Sequence, residues 1–597
     1  MEPSLLPLAA ADPDGYLLVL ALFVPVVGVL VAFCTGGRGV RPIAMTTIAV
    51  DLAIVATIAV RVAEGGAPLV YRLGGWSPPL GVALRADGLA VVMLGIVAVV
   101  MAAVAIFARP DFATPDDRDE ARQPFAFWIL LLGLWAGLNA VFLSGDLFTQ
   151  YVALEMLTFA AVPLVSLDGQ PEKLTAALRY LLFALLGSIL YLGGAGLLYG
   201  GYGTLDIALL SERVVASPAT CIAAALMTVG LLAKTALYPL HLWLPPAHAG
   251  AHPAASAVLS ALVVKGSFFI TVRLWFEVMP GLPGAVAAQL LSALGAAAIF
   301  FGSVVALRQR RLKLLIAYST LAQIGYLFLM FALAVDPASG RLVSGDALAG
   351  GILQATTHAA AKAAMFMAAG LLYASLGHDR IGELGGAGRA SPLGVLAFAL
   401  AGLALMGVPP SGAYLAKDLL LQSAAATGQG WGIVVLNGGG VLTSSYVFLV
   451  LAHALGPAER PLEPRPRAPW LRQAAVVGLA VVSLSLGLFE WAALLPLSAV
   501  KSAGPWSIAT VWKLLWPALG GAGLAILVGR WGGTWGRSTS SSALAAALAP
   551  VRSAAVAVAT AVERSDAALR QWGTAGLSML LLTILFGAAI WLGAGAS

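Results

Sequence analysis

Charged residues are scarce in this chain. Asp, Glu, Lys and Arg together make up 10% of its 597 residues, whereas soluble domains carry about 25%. Hydrophobic residues make up 60%, and the mean hydropathy is +0.92. With so little polar surface, lipid must cover much of the outside of the fold. The net charge of +6 is therefore not a signal for nucleic-acid binding.

Cysteine is nearly absent. Cys34 and Cys221 both lie in apolar runs, which excludes a disulfide framework and a thiolate metal site. We expect both to be small buried hydrophobic side chains. An iron–sulfur cysteine cluster, a Gly-rich dinucleotide motif and a soluble catalytic domain are lacking too, so we predict no cofactor, no metal and no catalytic redox centre.

Long apolar runs are abundant. About sixteen have the roughly 20 residues that a membrane helix needs, and none alternates like a barrel strand. Basic residues do not precede the first run, so we expect a retained membrane helix and not a cleaved signal peptide. The runs fall near 16–34, 42–62, 87–108, 125–143, 146–167, 176–200, 219–238, 254–279, 284–306, 312–334, 346–376, 393–421, 431–455, 473–496, 507–528 and 574–594.

Basic residues collect in alternate connections between these runs. Because such loops stay in the cytoplasm, we predict an N-terminus outside and a multi-pass protein of the cell inner (plasma) membrane. The Ala-rich stretch 538–572 is typical either of a helix on the membrane surface or of a cytoplasmic linker helix. The basic residues are Arg38, Arg41, Arg308, Arg310, Arg311, Lys313, Arg460, Arg465, Arg467, Arg472, Arg530, Arg537, Arg552, Arg564 and Arg570.

Lysine is rare, yet half of the eight lysines lie inside apolar runs. These are Lys234, Lys265, Lys362 and Lys417, and Glu155 is also embedded. Each charge at the membrane centre costs about 2.5–3.5 kcal/mol, so five cost on the order of 10 kcal/mol. Any one lysine could extend to the membrane surface or form a structural ion pair, but the set as a whole favours function.

Proline interrupts the helix that carries Lys234, in the segment LLAKTALYPLHLWLPPAHAGAHP. Such a break survives at membrane depth only where it is buried in protein or lines a wet cavity. The segment also contains His241, His248 and His252. Zinc binding by these three is a weak alternative, because neither Cys nor an acid accompanies them. Interfacial loop positions are the simpler explanation for His248 and His252.

A second break, GVPPSGAYLAK, precedes Lys417, about 180 residues after the first. Corresponding breaks in two halves indicate inverted repeats with sites at the membrane midplane. We therefore predict N-terminal helices in 1–124, a first five-helix repeat in 125–279, a second in 280–455, and further membrane and amphipathic helices in 456–597.

The embedded basic groups predict a proton relay. Burial disfavours a charged lysine and a nearby carboxylate favours it, while histidine titrates near neutral pH. His358 and Lys362 are four residues apart and share a helix face. A row of such groups can pass protons from one to the next.

These residues carry a family resemblance. The stretches DLFTQYVALEMLTF, AKTALYPLHLWLPPAHAGAHPAASAVLSALVVK, THAAAKAAMF and GVPPSGAYLAKDLL, spread over about 125–421, resemble the antiporter-like proton-conducting subunits of respiratory complex I, group 4 membrane-bound hydrogenases and Mrp-type cation/proton antiporters. The resemblance implies an all-α polytopic membrane protein with about 14 core transmembrane helices, two inverted five-helix repeats and broken helices, to which this chain adds C-terminal helices.

The resemblance also implies roles for particular residues. It implies that Glu155 pairs with Lys234, that Lys265 and His358 continue a central hydrophilic axis, and that Lys417 ends it. The role of Lys362 is our inference from its position. Asp146, Arg179 and His241 are secondary candidates. N-capping is the alternative for Asp146, and an extended side chain near a helix end is the alternative for Arg179.

The predicted function is proton translocation, with or without exchange for Na+ or K+, by one membrane subunit of a multisubunit complex in the lipid bilayer. A glutamate replaces the terminal lysine in one complex I subunit type, so Lys417 favours a D-type Mrp subunit or a hydrogenase-type subunit. A proton-pumping subunit of a redox complex, a self-sufficient transporter and a structural scaffold remain as alternatives.

Overall fold

The computed structural model describes residues 13–458, 465–497, 508–531 and 542–595. Arg460 and Arg537, two of the residues used to predict the orientation, lie outside these ranges, as do residue 507 of the run 507–528 and residues 538–541 of the Ala-rich stretch. In the described ranges the chain is almost entirely helical. Its one sheet is an antiparallel hairpin of β1 (Leu69–Arg72) and β2 (Ala83–Ala86).

The helices follow one another with short connections. In the first half of the chain they are α1 (Tyr16–Thr35), α2 (Val40–Gly65), α3 (Gly88–Ala108), α4 (Arg122–Leu143), α5 (Leu147–Val165), α6 (Pro171–Tyr202), α7 (Ile207–Arg213), α8 (Pro218–Thr235), α9 (Leu244–Gly250) and α10 (Pro253–Val278). In the second half they are α11 (Gly284–Arg308), α12 (Leu312–Leu333), α13 (Asp346–Leu376), α14 (Pro392–Met406), α15 (Gly412–Ala426), α16 (Gly430–Leu455), α17 (Trp470–Ser485), α18 (Ile508–Trp531), α19 (Ser542–Leu569) and α20 (Trp572–Gly595).

Among the described residues, 14 helices are long and apolar enough to cross a membrane. This confirms the predicted all-α, multi-pass fold. The predicted runs fall on these helices, except that the run 393–421 is divided between α14 and α15. The inverted repeats and the boundaries of the four regions stay predictions. Cys221 is buried as expected, but Cys34 is exposed, because it lies on the outer surface of α1.

Two helices end at the proline-containing breaks, the first after α8 and the second after α14. Ala236 ends α8 with a left-handed φ of 59°. Gly407 ends α14 with a φ of 78°, which glycine adopts without steric cost. Leu237, Leu240 and Leu242 in the first break are fully buried, so this irregular backbone is covered by protein, as membrane depth requires.

Ionic contacts define the two ends of the helix bundle. The basic end is held by the pairs Arg308–Glu563 (3.0 Å), Arg311–Asp379 (3.1 Å) and Arg472–Asp111 (2.7 Å). At the opposite end, Arg273 bonds to Asp87 and Glu277. Burial alone would raise the pKa of Asp87, but the Arg273 guanidinium lowers it to about 2. Asp87 is therefore ionised and ties the start of α3 to the end of α10.

Small residues let α6 and α8 touch along their backbones. A Cβ added at Gly187 would lie 2.7 Å from the Gly230 carbonyl oxygen, and one at Gly230 would lie 3.0 Å from the Tyr191 amide. Close backbone approach of this kind is a common means of packing membrane helices. It fixes α8, which carries Lys234, against α6, which carries Ser188.

We expect Gly230→Val to destabilise the protein by about 1–3 kcal/mol, because the added side chain must separate two backbones in contact. The melting temperature in detergent measures the effect. Gly193→Val on α6 is the matched control, since no atom lies within 4 Å of a Cβ there. Equal melting of both variants would contradict the packing described here.

Candidate functional site

A buried ion pair joins α5 and α8. The Lys234 ammonium lies 2.9 Å from Glu155 Oε1 and 3.0 Å from Thr158 Oγ1. Ser188 on α6 donates to the same carboxylate oxygen. The side chains of Lys234 and Glu155 are only 7% and 14% exposed. The two hydroxyl groups help to satisfy a charge pair that burial would otherwise penalise.

Hydroxyl groups lead from this pair to the next helix. Thr235 Oγ1 lies 2.8 Å from Ser267 Oγ, so the residue beside Lys234 contacts α10 two positions from Lys265. A π-helical turn, Leu259–Val263, precedes Lys265. Such turns widen a helix and often occur at functional sites. Here the Lys265 ammonium lies 3.5 Å from the Ser260 carbonyl oxygen.

Lys265 and His358 are in direct contact, through Nζ and Nδ1, and both side chains are fully buried. Either a charged lysine donates to a neutral imidazole, or a protonated Nδ1 donates to a neutral amine. Two positive charges at this distance in a low-dielectric interior repel strongly. The pair therefore holds one proton more readily than two, and the arrival of another favours the release of the first.

Lys362 lies one turn beyond His358 on α13 and is also fully buried. Its ammonium contacts Ser319 Oγ and lies 3.5 Å from the Ile316 carbonyl oxygen. The Tyr446 ring of α16 is 6.0 Å away, within the range of a cation–π contact. Lys362 thus has only neutral partners among the residues that the structure describes.

A polar cluster continues from Lys362 toward the second broken helix. Gln354 donates to Gln323 at 2.9 Å. Gln323 in turn donates to Thr443 and to the Tyr446 hydroxyl, each at 3.2 Å. Every side chain in this amide and hydroxyl cluster is buried. Buried polar groups that are satisfied by one another form a connected network.

Lys417 lies in α15, after the second break, and is partly buried. A Cβ at Gly440 would be 3.3 Å from its ammonium, and Gly440 precedes Thr443 by one turn of α16. Within the ranges described, Lys417 makes no hydrogen bond or ion pair. It therefore lies at the edge of the polar cluster and is not bonded into it.

The three histidines of the first break diverge. His241 is fully buried and contacts Asp566, at 3.0 Å. His248 is also fully buried and stacks on Phe366 with ring centres 4.8 Å apart, so the expected interfacial position is wrong. His252 pairs with Asp111 at 3.1 Å. Across the described residues, no group of three potential metal ligands forms.

The other secondary candidates lie outside the axis. Asp146 caps α5, accepting a hydrogen bond from the Thr149 amide at 2.8 Å, so the N-cap interpretation is confirmed. Arg179 is partly buried in the first half of α6, and its functional role stays a prediction.

Several residues of the axis were not identified from the sequence. Gln354 had a usable signal, because it precedes His358 by the same four-residue spacing that separates His358 from Lys362. The hydroxyl groups of Ser188, Thr235 and Ser267 had none, since such residues are common in membrane helices. Asp566 is distant in sequence, and only the docked position of α19 brings it to His241.

The chain matches known proteins over most of its length. Residues 144–443 match the Proton_antipo_M family, described as NADH:quinone oxidoreductase/Mrp antiporter, TM. The NADH-quinone oxidoreductase subunit N of Desulforudis audaxviator is 33% identical over 461 residues, which is 74% of this chain and 89% of the relative. The D-type subunit of the Na(+)/H(+) antiporter of Alkalihalophilus pseudofirmus is 28% identical over 358 residues, 60% of this chain and 69% of the relative.

A solved structure has the same fold. A chain of the Mrp complex from Dietzia sp. DQ12-45-1b superposes with a TM-score of 0.70 at 22% identity, covering 86% of this chain and 97% of that one.

The buried pair can be tested by a double-mutant cycle. Glu155→Gln and Lys234→Met should each lower stability by about 3–5 kcal/mol, because each leaves a buried charge without its partner. The double variant should melt above the less stable single variant, since neither charge remains. Melting in detergent measures all three. Purely additive losses would contradict an energetic coupling of the two groups.

Proposed function

Because the chain belongs to the NADH:quinone oxidoreductase/Mrp antiporter family of membrane subunits, we propose that it translocates protons along its buried Glu, Lys and His side chains as one subunit of a larger membrane complex. The proposed path contains Glu155, Lys234, Lys265, His358, Lys362 and Lys417. The observation that carries the proposal is the direct contact of Lys265 with His358 at full burial. A structural role would not require two bases to meet in the interior.

In the first half of the path, Glu155 controls the proton on Lys234. While the two are 2.9 Å apart, the carboxylate stabilises the charged ammonium. Separation of the pair removes that stabilisation, and the lysine then releases its proton. The Thr235–Ser267 contact supports transfer toward Lys265, with bridging water completing the step.

In the second half, the Lys265–His358 pair passes the proton along α13. A proton that arrives on Lys265 disfavours one on His358, which releases it toward Lys362 one turn away. Lys362 has neutral hydroxyl and carbonyl partners, so it can lose its charge without leaving an unpaired carboxylate. The cluster around Gln323 and Tyr446 then leads to Lys417 beside the second break.

The relatives support a multisubunit assembly, since those with similar sequences are named as subunits. We propose other membrane subunits as the partners and protons as the transported ions, with Na+ or K+ exchanged in an antiporter assembly. A second candidate is a proton-pumping subunit of a redox complex. The relative named as an NADH-quinone oxidoreductase subunit, at 33% identity, favours that parent. Proteins that copurify in mild detergent distinguish the two.

We also propose that the basic end faces the cytoplasm of an inner (plasma) membrane, which leaves the N-terminus outside. Arg38 at this end donates to the Asp116 carbonyl oxygen, and Arg308, Arg311 and Arg472 are paired there as well. The excess of arginine at one end is the basis of this orientation.

Transport by the intact complex tests the path. Lys234→Ala and Glu155→Ala should abolish proton transport in membrane vesicles, because each removes one member of the pair that gates the first lysine. The complex should still assemble. Lys173→Ala is the control, since that lysine pairs with Asp168 near a helix end, away from the axis. Normal transport by both axis variants in an assembled complex would refute the relay.

Thiol labelling tests the orientation. Cys34 is exposed near the basic end, whereas Cys221 is buried. A membrane-impermeant maleimide should therefore label Cys34 only in inverted vesicles. In a Cys34→Ser background, Ser211→Cys, exposed at the opposite end, should be labelled in intact cells. The reverse pattern would overturn the proposed orientation.

A further inference from the structure

The helix α19, near the C-terminus, places one carboxylate inside the core. Asp566, in its last turn, is 3% exposed. Its partners come from two distant elements. His241 Nε2, in the break after α8, lies 3.0 Å from Oδ1, and the Tyr318 hydroxyl of α12 donates to Oδ2 at 2.7 Å. Docking of α19 does not require this buried acid, because Glu563 already pairs with Arg308 of α11.

His241 has one nitrogen occupied and one unoccupied. Since an ionised carboxylate can only accept, His241 donates from Nε2 to Asp566. Nδ1 is buried and has no hydrogen-bonding partner in the part of the chain that the structure describes. It lies in the same break that follows Lys234. An imidazole held in this way can take a proton on one nitrogen and release one from the other.

Asp566 also reaches toward the aqueous face. Arg570 Nε lies 2.8 Å from Oδ2, and the Arg570 side chain is 32% exposed at the basic end. Burial alone would raise the pKa of Asp566, but the hydrogen bond and charge of His241 and the charge of Arg570 lower it. The carboxylate is therefore ionised in the structure and able to accept a proton.

We propose that Asp566 and His241 form a proton-transfer dyad that connects the basic end with the Glu155–Lys234 pair, so that α19 is part of the translocation path. This inference rests on the proposed function. A proton that reaches Nδ1 from the interior makes an imidazolium, whose Nε2 proton passes to the Asp566 carboxylate and then to water at the basic end. The reverse order carries a proton inward.

The test compares two acids of the same helix. Asp566→Asn keeps the shape and an acceptor for Tyr318 but removes the carboxylate, so transport by the intact complex in vesicles should fall at least about tenfold, as for loss of a general acid–base group. Assembly and melting temperature should be unchanged. Asp566→Glu should restore most of the rate, because it restores the proton-accepting group. Glu563→Gln, which removes only the surface pair with Arg308, should transport normally.

Each other result decides the matter. Normal transport by Asp566→Asn overturns the dyad. An equal loss in Glu563→Gln, or a loss that follows a lowered melting temperature, also overturns it and assigns Asp566 to docking alone. Lys234→Ala is measured in parallel. If it is inactive while Asp566→Asn is normal, only the dyad fails; if it is active, the proposed function itself fails.

Discussion

The cost of charge in an apolar interior governs this structure. A lysine or glutamate that faces lipid or dry protein must find a partner or lose its charge. The chain meets this requirement differently at each position. Glu155 gives Lys234 an opposite charge, His358 gives Lys265 another base, and Ser319 gives Lys362 a neutral hydroxyl. Because the partners differ, the stability of the charged form differs from group to group along the path.

The broken helices follow from the same cost. An unpaired backbone group at membrane depth is strongly unfavourable, so the first break is covered by packed helices. The residues around it are Leu237, Leu240 and Leu242, all fully buried. This packing leaves His241 as a polar group within the break, and its contact with Asp566 then satisfies one ring nitrogen. The irregular backbone and the polar contacts depend on each other.

The amino-acid sequence carried much of this arrangement and missed the rest for a physical reason. Embedded lysines and proline breaks are visible because they violate the composition of a membrane helix, so Lys234, Lys265 and Lys362 were found. The placement of His248 was wrong, since a histidine near prolines can lie in a loop or against Phe366, and only packing decides. Asp566 could not be found, because its helix has an ordinary amphipathic composition and its contact spans most of the chain.

The glycine contact between α6 and α8 determines which helix can move. With Gly187 against Gly230, these two helices behave as one rigid unit, and Ser188 and Lys234 keep their spacing. A change in the distance between Glu155 and Lys234 then has to come from a shift or rotation of α5. The outward side of α5 is apolar, with Phe148 and Phe159 49% and 61% exposed. Pressure from an adjoining subunit on that side would be transmitted to Glu155 over less than one helix diameter.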